Sequence, residues 1–285
     1  MGFLIRPMSD KNLADFAALC LNPENPTIHE GCRQRVEFLR ARRRFGLDGF
    51  VAHDDEGRVA GFVDFVPAEA ATAGVHADGY LFLQCLWVRM DCEKKGLGKK
   101  LLDSVISQIT YQTGIVVVAH DNPEHMPYTF FERHGFHHVD TWKSLRLMVL
   151  PMRPGPLPFW RTEPLFASAS SLAAQPLPVV DVFYTRLCPY NWMALQQLQT
   201  RLAGLEGRVC VRVHDAEQEP AHRVLGVEFS VFLEGENLAY SPLATDEPVN
   251  RLHERLGGEH ETTGTTMPHA GQQAGQMPLD GAARQ

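Results

Sequence analysis

Two hydrophobic periods alternate along the first 150 residues. FLIRPMS (3–9) reads as a short strand leading into a helix over NLADFAALCL (12–21), and a second helix runs from about Glu30 to Arg43 with Val36 and Leu39 on one side. FGLDGFVAHDDEGRVAGFVDFVPAE (45–69) predicts a hairpin, because the turn cluster DDEG separates two runs rich in Val, Phe and Ala. In YLFLQCLWV (80–88), period two sends Leu81, Leu83, Cys85 and Trp87 one way and Tyr80, Phe82, Gln84, Leu86 and Val88 the other. Both sets are largely apolar, which predicts a strand buried on both faces. Leu97, Leu101, Val105 and Ile109 then recur at helical spacing, GIVVVAH (114–120) reads as a buried strand, PYTFFERHG (127–135) as a short helix, and FHHVDTWKSLRLMVL (136–150) as further strand. The sum is an α/β domain over 1–150, a mixed sheet flanked by helices.

Past Leu150 the pattern breaks. Residues 151–177 are dense in Pro, Ser and Ala and read as a linker, 178–256 as a second ordered domain, and 257–285 as a tail with too few large apolar residues to offset its ordering entropy. A length of 285 residues leaves room for two cores. No apolar run approaches the roughly 18 residues of a membrane span, and the N-terminus has no basic region followed by a long apolar stretch. A formal charge of −7 argues against a nucleic-acid binder and for small-molecule partners. The six cysteines form no Cys-x-x-Cys pair, so neither zinc nor a disulfide framework is expected, and a reducing cytoplasm fits.

Candidate chemistry centres on EKKGLGKKLL (93–102), where the buried strand gives way to a helix. Gly96 and Gly98 let the backbone turn sharply and bring successive N–H groups to one point, where the helix start adds positive potential. Such a nest suits a pyrophosphate, and Lys94, Lys95, Leu97 and Lys99 belong to it. A glycine pair also opens many helices for steric reasons alone.

The order of elements, with Val88 followed by EKKGLG and KKLL, and FERHGF (131–136) after the next strand, resembles the GNAT superfamily of N-acetyltransferases. The resemblance implies a GNAT fold with a mixed, mostly antiparallel sheet, and direct transfer of an acetyl group from the cosubstrate acetyl-CoA to a small-molecule amine. It implies that Leu86 and Val88 present backbone to the pantetheine arm and polarise the thioester carbonyl, with Asn122 as a further pantetheine contact. Glu93 departs from the Arg or Gln of the family loop. Phe131 stands where the family carries a tyrosine that protonates the departing thiolate; it remains a cofactor-lining position, with Tyr128, three residues earlier, as the catalytic substitute. An amine must lose a proton before it attacks, and Glu69, Asp64 and Asp78 are the nearest carboxylates. Glu69 is preferred as the base, against the bland reading of a solvated strand-end carboxylate. Cys85 reads as a core residue, and the basic run RQRVEFLRARRR (33–44) as a helix end complementing its own dipole.

In the second domain, the apolar strand, the loop TRLCPYN, the amphipathic helix and the later strands resemble a degenerate thioredoxin-like unit. Cys188 takes the attacking position, where a helix start lowers a thiol's pKa. Asn191 replaces the resolving cysteine, Val227 the usual cis-proline, and Cys210 reads as buried. The whole order, with DFVPAE, QCLWV, CPYN and GVEFSVFLEGE, resembles YoaP-type GNAT proteins. Two other functions stay open: a coenzyme-binding interaction protein without catalysis, and a monothiol protein working through Cys188.

Overall fold

The computed structural model describes residues 2–22, 24–121, 125–160, 177–217, 228–240, 242 and 246–256. Asn122, Val227, most of the linker and the whole 257–285 tail lie outside the described residues. A first sheet runs β1 (Leu4–Pro7), β2 (Asp48–His53), β3 (Val59–Pro67), β5 (Tyr80–Val88), β6 (Gly114–His120), β8 (Leu145–Pro151), β7 (His137–Trp142) in spatial order. Every neighbouring pair is antiparallel except β5 with β6. A short β4 (Val75–His76) stands apart from it.

Helices cover both faces. On one, α1 (Asp15–Ala18) and α2 (Pro26–Arg42) bury Phe16, Phe38 and Leu39 against Val51, Phe62 and Phe82. On the other, α3 (Leu97–Ile106) and α4 (Tyr128–Arg133) bury Leu97, Leu101, Val105 and Phe131 against Val63, Leu83 and Val117. The helix expected over 12–21 shrinks to one turn because Asn12 accepts from Ser9 N (2.7 Å) and donates to Pro7 O (2.9 Å), and the bonds that follow run three residues back. α2 starts four residues before the expected Glu30. Asn25 caps it by accepting from Thr27 N (3.0 Å), and Pro26 takes the first helical position. The closing strand-like run is a hairpin turning at Lys143, whose φ is 53°.

The alternation expected along β5 fails halfway. Asp64 pairs with Cys85 but Phe65 pairs with Leu83, so Gln84 is an extra residue, a β-bulge. The parity reverses there. Cys85 and Trp87 pack with Tyr80 and Phe82 on the α2 side, while Leu86 and Val88 join Leu81 and Leu83 on the α3 side. The same point ends the pairing with β6, which runs only from Tyr80↔Gly114 to Leu83↔Val117. From Gln84 onward the two parallel strands part, and β6 continues along β8 to His120, whose N–H donates to Met126 O (3.1 Å) on the side that β5 has left.

Within the expected linker, β9 (Phe159–Trp160) pairs with β4, and Trp160 is buried. A second sheet has the order β11 (Cys210–Asp215), β10 (Val179–Tyr184), β12 (Phe229–Leu233), β13 (Glu236–Ala239). The β10–β11 pair is parallel and the others antiparallel. α5 (Pro189–Ala203) and α6 (Asp246–Arg255) pack on one side of it over Val180, Val182 and Val231. Its α5 lies against α2, so close that a Cβ on Gly31 would meet Pro189 O at 2.5 Å. At the other edge, Trp142 meets Tyr240 edge-on at 5.2 Å and Lys143 bonds Asn237.

Candidate active site

The parting of β5 from β6 leaves backbone groups of Leu86 and Val88 bonded on one side only, toward Val63 and Gly61 of β3. The strand exit is held firmly. Arg89 donates to Val59 O (2.7 Å), Asp54 Oδ2 (2.7 Å) and Asp91 Oδ1 (2.6 Å), and its hydrogen bond to Asp54 holds that carboxyl well below the usual carboxylate range. The chain then enters α3 through Gly96, whose φ of 79° is a left-handed conformation that L side chains resist. The first N–H groups of α3 have no acceptor within the helix and point outward at its positive end. A Cβ on Gly98 would stand 3.1 Å from the Phe130 ring, so this helix start and α4 approach each other at a position bare of side chain. Lys94 is itself left-handed (φ 57°), Lys95 Nζ donates to Asp91 O (2.5 Å), and Lys99 pairs with Asp103 (2.6 Å). Lys94, Lys95, Gly96, Leu97, Gly98 and Lys99 are thus consecutive at the entry to α3, with Lys95 and Lys99 turned to partners of their own.

The other candidates are more scattered. Phe131 is fully buried between Phe130 and Phe136, each 5.2 Å away, and works as core. Tyr128 stands at the start of α4 with the Arg146 guanidinium 3.7 Å over its ring. Glu69 sits at the far end: it follows Pro67, which pairs with Leu81, and accepts from Gly79 N (2.7 Å). At about 3.3 Å per strand residue, that is about 25 Å from Val88. Glu69 lines a hollow of about 470 Å³ together with Arg42, Arg44 and Glu217.

Asp64, one of the three carboxylates expected near the acceptor, lies at the bulge on the α2 side, paired with an arginine that the sequence reading did not single out. Arg35 and Asp64 are both buried, and the guanidinium donates to Asp64 Oδ2 (2.5 Å), Phe16 O (2.9 Å) and, across the domain junction, Leu187 O. Burial pushes the Asp64 carboxyl up to about 6, with Arg35 working against it. Cys20, Cys32, Cys85 and Cys188 surround Arg35 closely enough to feel its field. The expectation of a lowered Cys188 pKa is corrected here. Cys188 does cap α5, but burial pushes its thiol up to about 11, with Glu228 adding to the rise and the N–H groups of Tyr190 and Asn191 offsetting only part. Cys210 is only half-buried rather than buried. Asn191 is fixed by its own bonds to Thr185 Oγ1 (3.2 Å) and Glu228 O (3.3 Å). Among the described residues, no group of three or more His, Cys, Asp or Glu is arranged to hold a metal ion, and no helix is long and apolar enough to cross a membrane.

The candidate site is thus a mixed sheet that splits beside a bulge, with a glycine-opened helix after the strand that leaves the split. Residues 46–138 match the family model for the acetyltransferase (GNAT) domain, and the chain carries that domain. Over most of its length it is similar to the uncharacterized N-acetyltransferase YoaP of Bacillus subtilis, 24% identical over 229 residues that make up 76% of this chain and 86% of the relative. Among solved structures, PaiA N-acetyltransferase of Thermoplasma acidophilum in complex with coenzyme A is 17% identical, with a TM-score of 0.40 over 53% of this chain and 99% of that one. A GNAT family acetyltransferase of Brucella melitensis in complex with acetyl-CoA is 18% identical, with a TM-score of 0.37 over 55% and 92%.

Proposed function

We propose that the chain moves an acetyl group from acetyl-CoA directly to the amine of a small-molecule acceptor, within a GNAT domain over 1–150 that is followed by a thioredoxin-like domain over 178–256. The observation that carries the reading is the loss of β5–β6 pairing beyond Leu83 and Val117, in a cleft that opens toward Gly96 and the start of α3. The residues present fit the cosubstrate: a left-handed glycine, free first-turn N–H groups, nearby lysines and one-sided strand backbone match a diphosphate and a chain of amides. Bound acetyl-CoA supplies an activated thioester. Gly96 to Lys99 hold the diphosphate, Lys94 and Lys95 add charge, Leu86 and Val88 orient the pantetheine arm through their backbone, and Asn122 is a further contact expected there. Phe131, with no ionisable proton, closes the α3 side against water. Tyr128 remains the phenol closest in sequence to that position.

The thioredoxin-like reading is supported by the strand order β11-β10-β12-β13, its one parallel pair, and a helix between the first two strands with Cys188 at its start. A largely protonated Cys188 thiol favours transferase over monothiol chemistry. Calorimetry with acetyl-CoA, followed by thiol release across a panel of amines, tests the reading. Saturable heat and amine-dependent release are expected; no heat at millimolar cosubstrate overturns it.

A further inference from the structure

We infer that Glu228, carried by the second domain, accepts the proton of the attacking amine at the β5 bulge, so that the transfer site is composite and incomplete without the second sheet. The inference rests on the transferase reading and adds to it a catalytic group from outside the acetyltransferase domain.

The bulge presents two buried acceptors that lack donors. Asp64 has one oxygen bound by Arg35, while its Oδ1 has no partner; Gln84, 8% exposed, likewise has an unpartnered Oε1. Leaving such buried groups unpaired is unfavourable, because water no longer reaches them. A ligand that brings N–H donors removes that cost, and an ammonium group brings three. Asp64 is poorly suited to take a proton from it, being tied to Arg35 and positioned by it. Glu228 is free to do so. Its backbone oxygen is fixed at the start of β12 by Thr185 N (2.9 Å) and Asn191 Nδ2 (3.3 Å), while its carboxylate makes no ion pair or hydrogen bond with another described residue. The charged and titratable groups that face it are Arg35 of α2, Asp64 of β3 and Cys188 at the start of α5. Loss of water pushes the Glu228 carboxyl up to about 8, Asp64 adds to the rise and Arg35 opposes it. A base with that affinity for protons is matched to an ammonium near neutral pH. Cys188, held as a thiol, does not compete for the role.

The proton balance is closed. The ammonium gives one proton to the Glu228 carboxylate; the freed nitrogen lone pair forms the C–N bond to the acetyl carbon as the C–S bond breaks. The nitrogen gives its second proton to the departing thiolate as the neutral amide forms, so the coenzyme leaves as the free thiol, and the proton on Glu228 passes to solvent before the next turnover.

The test uses the full chain. In wild type, kcat/KM for a responsive amine is expected to rise with pH along a limb near 8. Glu228→Gln should lower kcat/KM about 10²–10⁴-fold and abolish that limb, with acetyl-CoA affinity unchanged within about threefold. Glu228→Asp should keep a displaced limb at reduced rate, which a purely structural role would not produce. Independently of turnover, carboxyl-carbon NMR of the resting protein should show Glu228 titrating above pH 7. An active wild type whose Glu228→Gln variant keeps its rate and its limb overturns the inference alone, as does a Glu228 titration at an ordinary value of about 4.3. A wild type that binds acetyl-CoA but turns over no amine overturns the transferase reading, and the inference with it.

Discussion

Arg35→Met is the most informative single change, because one guanidinium serves three elements at once. In the native protein it is an ion-pair partner for Asp64 and a donor to Phe16 O and Leu187 O, with its carbon 5.0 Å from the centre of the Phe62 ring. Methionine replaces much of the apolar stem but none of the donors. Removing one partner of a buried ion pair costs about 3–5 kcal/mol, because the other charge is left in a medium that solvates it poorly. Two carbonyls also lose a donor. Asp64 limits the loss by taking up a proton. Its carboxyl already stands at about 6, above the ordinary 3.8, and without Arg35 it rises further. A carboxyl raised in the folded state stabilises the fold below its unfolded pKa and loses that contribution as pH rises through the folded value. The deficit of Arg35→Met should therefore be larger at pH 8 than at pH 5. In urea, a loss of this size lowers the midpoint by about 1 M or more. Because the bond to Leu187 O crosses the junction, alkylation of Cys188 should also accelerate. Adding Asp64→Leu should recover most of the stability, since it removes the stranded charge. An unfolding free energy within about 0.5 kcal/mol of wild type at pH 8, with Cys188 protection unchanged, would refute this account of the junction.

Two further outcomes follow from the same chemistry. Stability should fall as pH rises from about 4.5 to about 8, because in that interval the folded protein retains a proton on Glu228 that the unfolded chain has released; Glu228→Gln should flatten the slope in pH-dependent urea titrations. Phe131→Tyr should destabilise by about 1–3 kcal/mol without raising turnover, since its hydroxyl would enter an apolar layer between Phe130 and Phe136; a rate increase would mean that the ring reaches the reacting centre.

The parts of the fold legible in the sequence are those where one residue type has a strong local reason to be present. Gly96 occupies a backbone conformation that other residues resist, and Leu97, Leu101 and Val105 mark a buried helical stripe. The bulge at Gln84 carries no such mark. Period two runs unbroken through YLFLQCLWV because both faces of β5 are apolar, so a reversal of parity leaves the pattern unchanged. Pairing with β3 decides it, and that is a long-range matter. Arg35 was hidden differently, within a run of arginines that are mostly exposed. The available signal was its place on α2, where Ile28, Cys32, Arg35 and Leu39 follow one another at helical spacing and are all buried. An arginine on an apolar stripe requires a buried partner, and Asp64, in the middle of a valine- and phenylalanine-rich strand, answers it.

The same pairing bears on why the chain continues past its acetyltransferase domain. α1 and α2 cover the β2–β3 side of the sheet, and the apolar cluster there continues into Leu187, Tyr190 and Tyr240 of the second domain. Arg35 stands where the two coverings meet. Its Nη2 faces Asp64 at the bulge and its Nη1 faces Leu187, one residue before Cys188. A group bound at Asp64 Oδ1 therefore lies within one side chain of the junction, and the seating of the second domain and the occupancy of the bulge must influence each other. A large acceptor such as a folded protein would have to displace α5 from α2, with Gly31 lying against Pro189 O. A small amine, the acceptor proposed above, would not.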